Sequence, residues 1–368
     1  MIIKTITCHD VYNVGASLQA YALQHYLEEQ GHKVEIIDYK PDYLSKHYKI
    51  TAINNPRFDR LIIRQIYILA KLPTRILALF DKRKKRFDYF RKEYLKLTSV
   101  RYCSNEELKK NPPAADIYIV GSDQIWNPLF QNGKDPTFFL DFVSKGKKCA
   151  SYAASFATKQ IPEDDKKRMA MLLRKFNRIS VREKSSLVTL GEMGIKNAEV
   201  VCDPVFLLAE RFWESLLISP LINEKYLFVY DFDNSSYINE QILRVAKARN
   251  LKIFSFFKSS IADKVLTDVG PLEFLGIIKN ADIIVSNSFH ATAFSLIFHK
   301  DFYVANRIEN INIRMSDLLE NVGLANRMID NNNIQLEQDT INWSDVDEKM
   351  SKIIKDSKNY LSSVCCTD

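Results

Sequence analysis

Gly270 to Asn306, GPLEFLGIIKNADIIVSNSFHATAFSLIFHKDFYVAN, passes through helix, strand, tight turn, helix and strand within one short run. Pro271 suits a first helical turn, and Leu272, Leu275, Ile277 and Ile278 give that helix an apolar face. Asp282 to Ser286 (DIIVS) is almost wholly apolar, as befits a parallel strand covered on both sides. Asn287, Ser288, Phe289, His290, Ala291 and Thr292 follow, small and polar around one aromatic and one histidine. Ala293 to His299 resumes a helical pattern, and Phe302 to Ala305 is the next strand. In an open α/β sheet, ligands bind beyond the carboxyl ends of strands, where helix N-termini offer unpaired N–H groups to anions. A histidine placed there can exchange a proton with a bound anion. His290 is therefore either the candidate catalytic residue, with Asn287, Ser288 and Thr292 beside it, or a hydrogen-bonded structural histidine.

The same grammar extends toward the N-terminus. Ile2 to Thr7 reads as a strand, Cys8 to Gly15 (CHDVYNVG) as a loop, Ser17 to Glu29 as a helix and Val34 to Tyr39 as a second strand. This is a Rossmann-like opening without a GxGxxG signature. Asn13 and Gly15 shape a loop that approaches a ligand, or Gly15 only makes the turn; Ser17 is placed to cap the helix. From Tyr43 to Leu97 the chain is rich in Lys, Arg, Tyr and Leu and reads as inserted helices. Asp116 to Val120 is a strand ending in Gly121–Asn127 (GSDQIWN). Asp123 and Gln124 there are suited to sugar hydroxyls; Trp126 is either a stacking platform for a sugar ring or core. Arg182 and Glu183 end the short strand of NRISVRE, where the guanidinium forks onto an anion or simply pairs with Glu183. The alternation pauses between Ala209 and Pro220 and resumes at Lys225, which places a domain boundary there. Asp345 to Tyr360 forms a final amphipathic helix.

Composition narrows the class. With 368 residues, 46% hydrophobic and 26% charged, the chain has the make-up of a globular protein large enough for two domains. No apolar run reaches transmembrane length, and MIIKTITCHD lacks the basic region, apolar core and cleavage site of a signal peptide, so a cytoplasmic location is expected. The six cysteines show no CxxC or Cys/His ligand spacing, so neither zinc nor a disulfide framework is expected. Much of the net charge of +7 lies in Lys82–Lys92 (KRKKRFDYFRK). That stretch is either a peripheral contact with an anionic membrane or a solvated helix face whose Phe87 and Phe90 turn inward. No nucleic-acid recognition motif accompanies it, and nucleic acid is not an expected partner.

Taken jointly and in order, several clusters resemble the polysaccharide pyruvyl transferase family. They are VYNVGASLQAYAL at 11–23, IVGSDQIWNP at 119–128, SYAASF at 151–156, SVRE at 180–183, DPVFLL at 203–208 and GPLEFLGIIKNADIIVSNSFHATAFSLIF at 270–298. The resemblance is weakest at 42–110 and after 330. It implies an α/β fold of two Rossmann-like domains facing a cleft, similar to GT-B glycosyltransferases. The divisions expected are 1–208, with a helical insertion at about 43–110 and the acceptor side, then 223–344 with the donor side. A C-terminal helix, 345–362, would cross back to the first domain. The implied activity moves a pyruvyl group from phosphoenolpyruvate to a sugar of a surface polysaccharide or its lipid-linked precursor, forming a ketal without cofactor or metal. His290 matches the family's histidine and Arg182 its SVRE-type arginine.

One departure stands out. Many family members carry Arg two residues before that histidine, where this chain has Ser288, so other cations must serve the anion; Arg307 and Arg314 are nearest in sequence. The expected donor side is Arg182, Asn287, Ser288, Thr292 and Arg307, and the acceptor side Asn13, Gly15, Ser17, Asp123, Gln124 and Trp126. Two other readings stand beside this one: a glycosyltransferase using a nucleotide sugar on the same architecture, and a non-catalytic glycan- or anion-binding protein.

Overall fold

A computed structural model describes residues 1–45, 81–219, 222–308, 312–329 and 340–366. Two parallel sheets organise them. The first contains β1 (Ile2–Ile6), β2 (Lys33–Tyr39), β3 (Leu97–Tyr102), β4 (Ile117–Val120) and β5 (Lys148–Ser151) in the order β3-β2-β1-β4-β5. Bridges from Ala150 to Arg178 and from Ala154 to Val181 continue it into β6 (Ile179–Val181), which pairs with β7 (Ala198–Val200). The second sheet holds β8 (Tyr226–Tyr230), β9 (Lys252–Ser255), β10 (Lys264–Val265), β11 (Ile283–Ser286), β12 (Asp301–Ala305) and β13 (Met328–Ile329). Its order is β10-β9-β8-β11-β12-β13. Both sheets reverse direction of winding beside their first strand, between β1 and β4 and between β8 and β11. Such switch points open a crevice at the strand ends, because the flanking connections leave on opposite faces.

The strands read as apolar runs because both faces are covered: every residue of β4, β8 and β11 is buried. The helices that matter to the crevice are α1 (Val14–Glu29), α2 (Lys82–Tyr94), α3 (Pro271–Asn280), α4 (Phe289–Ile297), α5 (Ile313–Asn321) and α6 (Trp343–Cys365). One continuous apolar core joins the halves, with Leu18 and Leu23 of α1, Trp213, Phe274 of α3, Phe294 of α4 and Tyr360 of α6 among its members. Trp213 and Phe294 meet edge to face at 5.1 Å. The last helix is anchored on the first sheet: Cys202 N–H donates to Ser357 Oγ (2.8 Å) and Tyr360 O–H donates to Ser151 O (2.8 Å). No described helix is long and apolar enough to cross a membrane.

The inserted segment departs from the helical expectation. Residues 46–80 lie outside the described residues, and 97–102 are not helix but the edge strand β3. Its Val100 and Arg101 are exposed, so it lacks the apolar signature of the central strands. The basic stretch is α2, with Phe87 and Phe90 buried against the core, Arg83, Arg86 and Arg91 turned to internal partners, and Lys82, Lys85 and Lys92 exposed. Arg91 Nη1 meets Asp10 at 3.0 Å, Arg86 Nε meets Glu273 at 3.3 Å, and Arg83 lies 4.6 Å over the Phe256 ring. α2 thereby ties the loop after β1 to the second half.

Candidate active site

The two switch points face each other, and charged side chains from both converge between them. From the first half, Asp123 follows β4, Arg182 and Glu183 follow β6, and Asp203 follows β7. Asp203 caps a short 3₁₀ turn, Oδ1 accepting from Val205 N (3.2 Å), which leaves Oδ2 for the cluster. That oxygen accepts from Ser122 Oγ at 3.0 Å and from Arg182 Nη1 at 2.5 Å. Glu183 is held by the hydroxyls of Ser155 and Ser186.

From the second half, α4 begins at Phe289, with Ser288 as its cap, so His290 sits in the first turn. Its Nε2 lies 3.7 Å from Asp203 Oδ2, too far for a hydrogen bond, and has no hydrogen-bond partner. Its other edge rests on Gly15, where a Cβ would stand only 2.0 Å from Nδ1. Glycine is required here by close approach of α1 to α4. Arg314 of α5 reaches across to Asp123, Nη1 to Oδ1 at 3.5 Å, and Arg182 Nη2 lies 3.7 Å from the same oxygen. The Phe289 ring lies 4.3 Å from the Arg182 guanidinium and 5.8 Å from that of Arg314.

Burial and mutual charge set the protonation states. Burial pushes His290 below its ordinary value, Asp203 and Asp123 pull it upward, and the two arginines depress it further, leaving it lowered. Burial alone would raise the Asp123 carboxyl, yet Arg182, His290 and Arg314 outweigh it and hold it low. Burial and then the neighbouring Arg182 push Arg314 down to about 10. A neutral imidazole facing carboxylates and guanidinium groups is equipped to take a proton and return it.

Of the residues anticipated, Gly15, Asp123, Arg182 and His290 come together. The rest are placed differently. Trp126 is fully buried, stacked on Phe139 at 5.6 Å with Nε1 donating to Phe138 O, so it is core and no sugar platform. Ser17 does not cap α1: Asn13 does, its Oδ1 accepting from Ala16 N (3.1 Å), while Ser17 is buried in the first turn. Gln124 Oε1 accepts from Asn127 Nδ2 at 2.9 Å and braces its own loop. The N–H of Thr292 is taken by Ser288 O, which also accepts from its hydroxyl, because α4 starts three residues before Thr292. Asn287 bonds Phe232 N, Asp231 and Asp233, and Arg307 Nε meets Asp233 at 3.2 Å while its guanidinium stacks on Phe232. These two thus belong to a neighbouring polar cluster. Sequence reading assigned no role to Asp203, although an arginine ending a buried strand demands a counter-ion and an Asp-Pro after the next strand supplies one.

Comparison with known proteins bears on both fold and family. The family model described as polysaccharide pyruvyl transferase matches residues 13–307. No curated protein matches the sequence. Among solved structures, the UDP-N-acetylglucosamine 2-epimerase from Rickettsia bellii superposes with a TM-score of 0.53 at 10% identity, covering 99% of this chain and 96% of that one. The Methanocaldococcus jannaschii UDP-GlcNAc 2-epimerase in complex with UDP-GlcNAc and UDP gives 0.49 at 13% identity over 96% and 93% of the two chains. The E. coli heptosyltransferase WaaC with ADP gives 0.41 at 10% identity over 96% and 100%. At such identities the first likeness speaks for the fold alone: two Rossmann-like halves facing a crevice, the GT-B-like arrangement.

Proposed function

The chain belongs to the polysaccharide pyruvyl transferase family, and we propose that it takes its pyruvyl group from phosphoenolpyruvate and bridges two hydroxyls of a saccharide, free or lipid-linked, as a ketal. Transferase activity and a saccharide acceptor follow from the family; the donor and the residue roles are what we propose. The observation that carries it is His290, buried with Nε2 unbonded, 3.7 Å from Asp203 and in the same cluster as Arg182, whose Nε and Nη2 also lack hydrogen-bond partners.

The reaction divides into services these groups can render. Arg182, fixed by Asp203 and Phe289, grips one anionic group of the donor. An anion beside His290 raises the pKa of its imidazole, so donor binding loads the proton that the chemistry needs. That proton goes to the methylene carbon, and C2 becomes an oxocarbenium-like centre. One acceptor hydroxyl adds to C2, and its proton restores His290. Phosphate then leaves as the second hydroxyl closes the ketal, and that hydroxyl's proton departs with it. Asp203 stabilises the imidazolium while it exists.

The test is to incubate the protein with phosphoenolpyruvate and a panel of lipid-linked and free oligosaccharides. Equal amounts of phosphate and of a glycan heavier by one pyruvate ketal are expected. Consumption of a nucleotide sugar with phosphoenolpyruvate untouched would overturn the donor assignment.

A further inference from the structure

We propose that Arg182 and Arg314 form a paired-guanidinium seat for a compact donor anion, and that the Asp123 carboxylate holds this seat until the anion displaces it. The proposal deepens the donor reading above and rests on it for the identity of the anion.

The geometry is that of an underfilled site. Two guanidinium groups from opposite halves approach a single oxygen, Asp123 Oδ1, at 3.7 and 3.5 Å, both beyond hydrogen-bond reach. Nε and Nη2 of Arg182 and Nε of Arg314 are buried without hydrogen-bond partners. Buried cationic donors are ordinarily satisfied, so Arg182 Nη2, 3.7 Å from Asp123, and the unbonded Nε of Arg314 mark a missing acceptor, while Arg182 Nε lies 3.6 Å from Glu183 Oε1. The side chains are 3% and 8% exposed, while that of Asp123 is 22% exposed. The carboxylate is thus the member of the three that solvent reaches most. Its backbone is left-handed, with φ of 76°, and is held by Ile125 N–H and Ser155 N–H at its carbonyl, so the displacement is one of the side chain.

The other carboxylates take the other edges of Arg182, Asp203 at Nη1 and Glu183 3.6 Å from Nε, which leaves Nη2 for the seat. Asp203 and Glu183 each accept from two or more groups of their own half. His290 faces the same space and can take up a proton to offset the incoming charge. Burial first, and then the facing Arg182, lower the pKa of Arg314, and Asp123 offsets them only in part. A donor bearing both phosphate and carboxylate places one group on each guanidinium, and Arg314 is the residue that grips the second group. Arg307 is directed to Asp233 instead.

Calorimetric titration of the full chain with inorganic phosphate and, separately, with phosphoenolpyruvate tests this. Arg314→Gln should weaken binding of both by roughly tenfold or more, the loss typical of a charge-assisted contact. Arg314→Lys should lose less, and Asp123→Asn should bind both anions more tightly than the wild type. Ligand-free melting curves check folding, and the Lys variant carries the test should Gln unfold. Unchanged affinity in a folded Arg314→Gln, or weaker binding in Asp123→Asn, would overturn the seat while leaving the donor reading intact. Wild-type protein that binds phosphate but not phosphoenolpyruvate, with the Arg314 effect present, would uphold the seat and remove that donor. Binding of neither anion by wild type and Asp123→Asn would overturn the proposal.

Discussion

His290 is the residue on which the chemistry turns, and its surroundings make separable predictions. His290→Gln keeps size and some hydrogen bonding while removing the titrating group. Acid–base catalysis typically contributes about 10²–10⁴-fold, so single-turnover rates should fall by that order with the melting temperature little changed. A folded Gln variant turning over near the wild-type rate would exclude His290 from proton transfer. The pKa of the same imidazole predicts a pH effect on stability. Because the folded value lies below the ordinary 6.5, the unfolded chain takes up a proton in a window where the native chain does not. Stability therefore declines as pH falls from about 6.5 toward the folded value and this contribution is flat outside that interval. His290→Gln should lose this part of the acid slope in denaturant titrations run across that range. Arg182 behaves differently, since it is both ligand and structural partner. Arg182→Lys retains charge but loses the planar fork and the stacking on Phe289, so donor affinity should drop with folding preserved. Arg182→Ala strands the buried Asp203 and should cost on the order of 3–5 kcal/mol, read by urea denaturation.

Between elements, the contact that positions the imidazole is the crossing of α1 over α4 at Gly15. Gly15→Ala would put a methyl group 2.0 Å from Nδ1 and 2.4 Å from Cγ of His290, so either the ring rotates or the helices separate. Overpacking of this kind costs about 1–3 kcal/mol. Turnover should fall far more than stability, and a variant with both near wild type would show the crossing to be slack. This contact also shows what could be read from the sequence. A β–loop–α–β opening and a buried strand before His290 were legible because apolar period and turn residues are local signals. Arg182 and His290 were legible as strand-end groups for the same reason. The meeting of Gly15 with His290, 275 positions apart by number, was not, because it arises from the packing of two halves. Arg314 was named only as a nearby cation, and nothing local distinguishes it from Arg307. β3 escaped notice because an edge strand with exposed Val100 and Arg101 carries neither alternation nor an apolar run. Trp126 reads alike as platform or core until its neighbours Phe139 and Phe156 are in place.

At the scale of the molecule, the cluster is enclosed because one apolar core runs from the first half through the second and into α6. That helix returns to the first sheet with two buried hydrogen bonds, Cys202 N–H to Ser357 Oγ and Tyr360 O–H to Ser151 O. The two are unequal. Ser151 O also accepts from Ser180 Oγ at 2.9 Å, so Tyr360→Phe leaves it satisfied and should cost about 0.5–1.5 kcal/mol. Ser357→Ala orphans a buried amide and should cost about 1–3 kcal/mol. If the shared apolar core binds the halves into one cooperative unit, the double variant should still unfold in a single calorimetric transition, at lower temperature. Its phosphoenolpyruvate affinity should change little, since neither residue touches the Arg182–Asp123–Arg314 cluster. Two resolved transitions would mean that α6, more than the shared core, makes the halves cooperative. An unchanged melting temperature would mean that the return of the helix is held by its apolar face alone, through Val346, Met350, Leu361 and Val364.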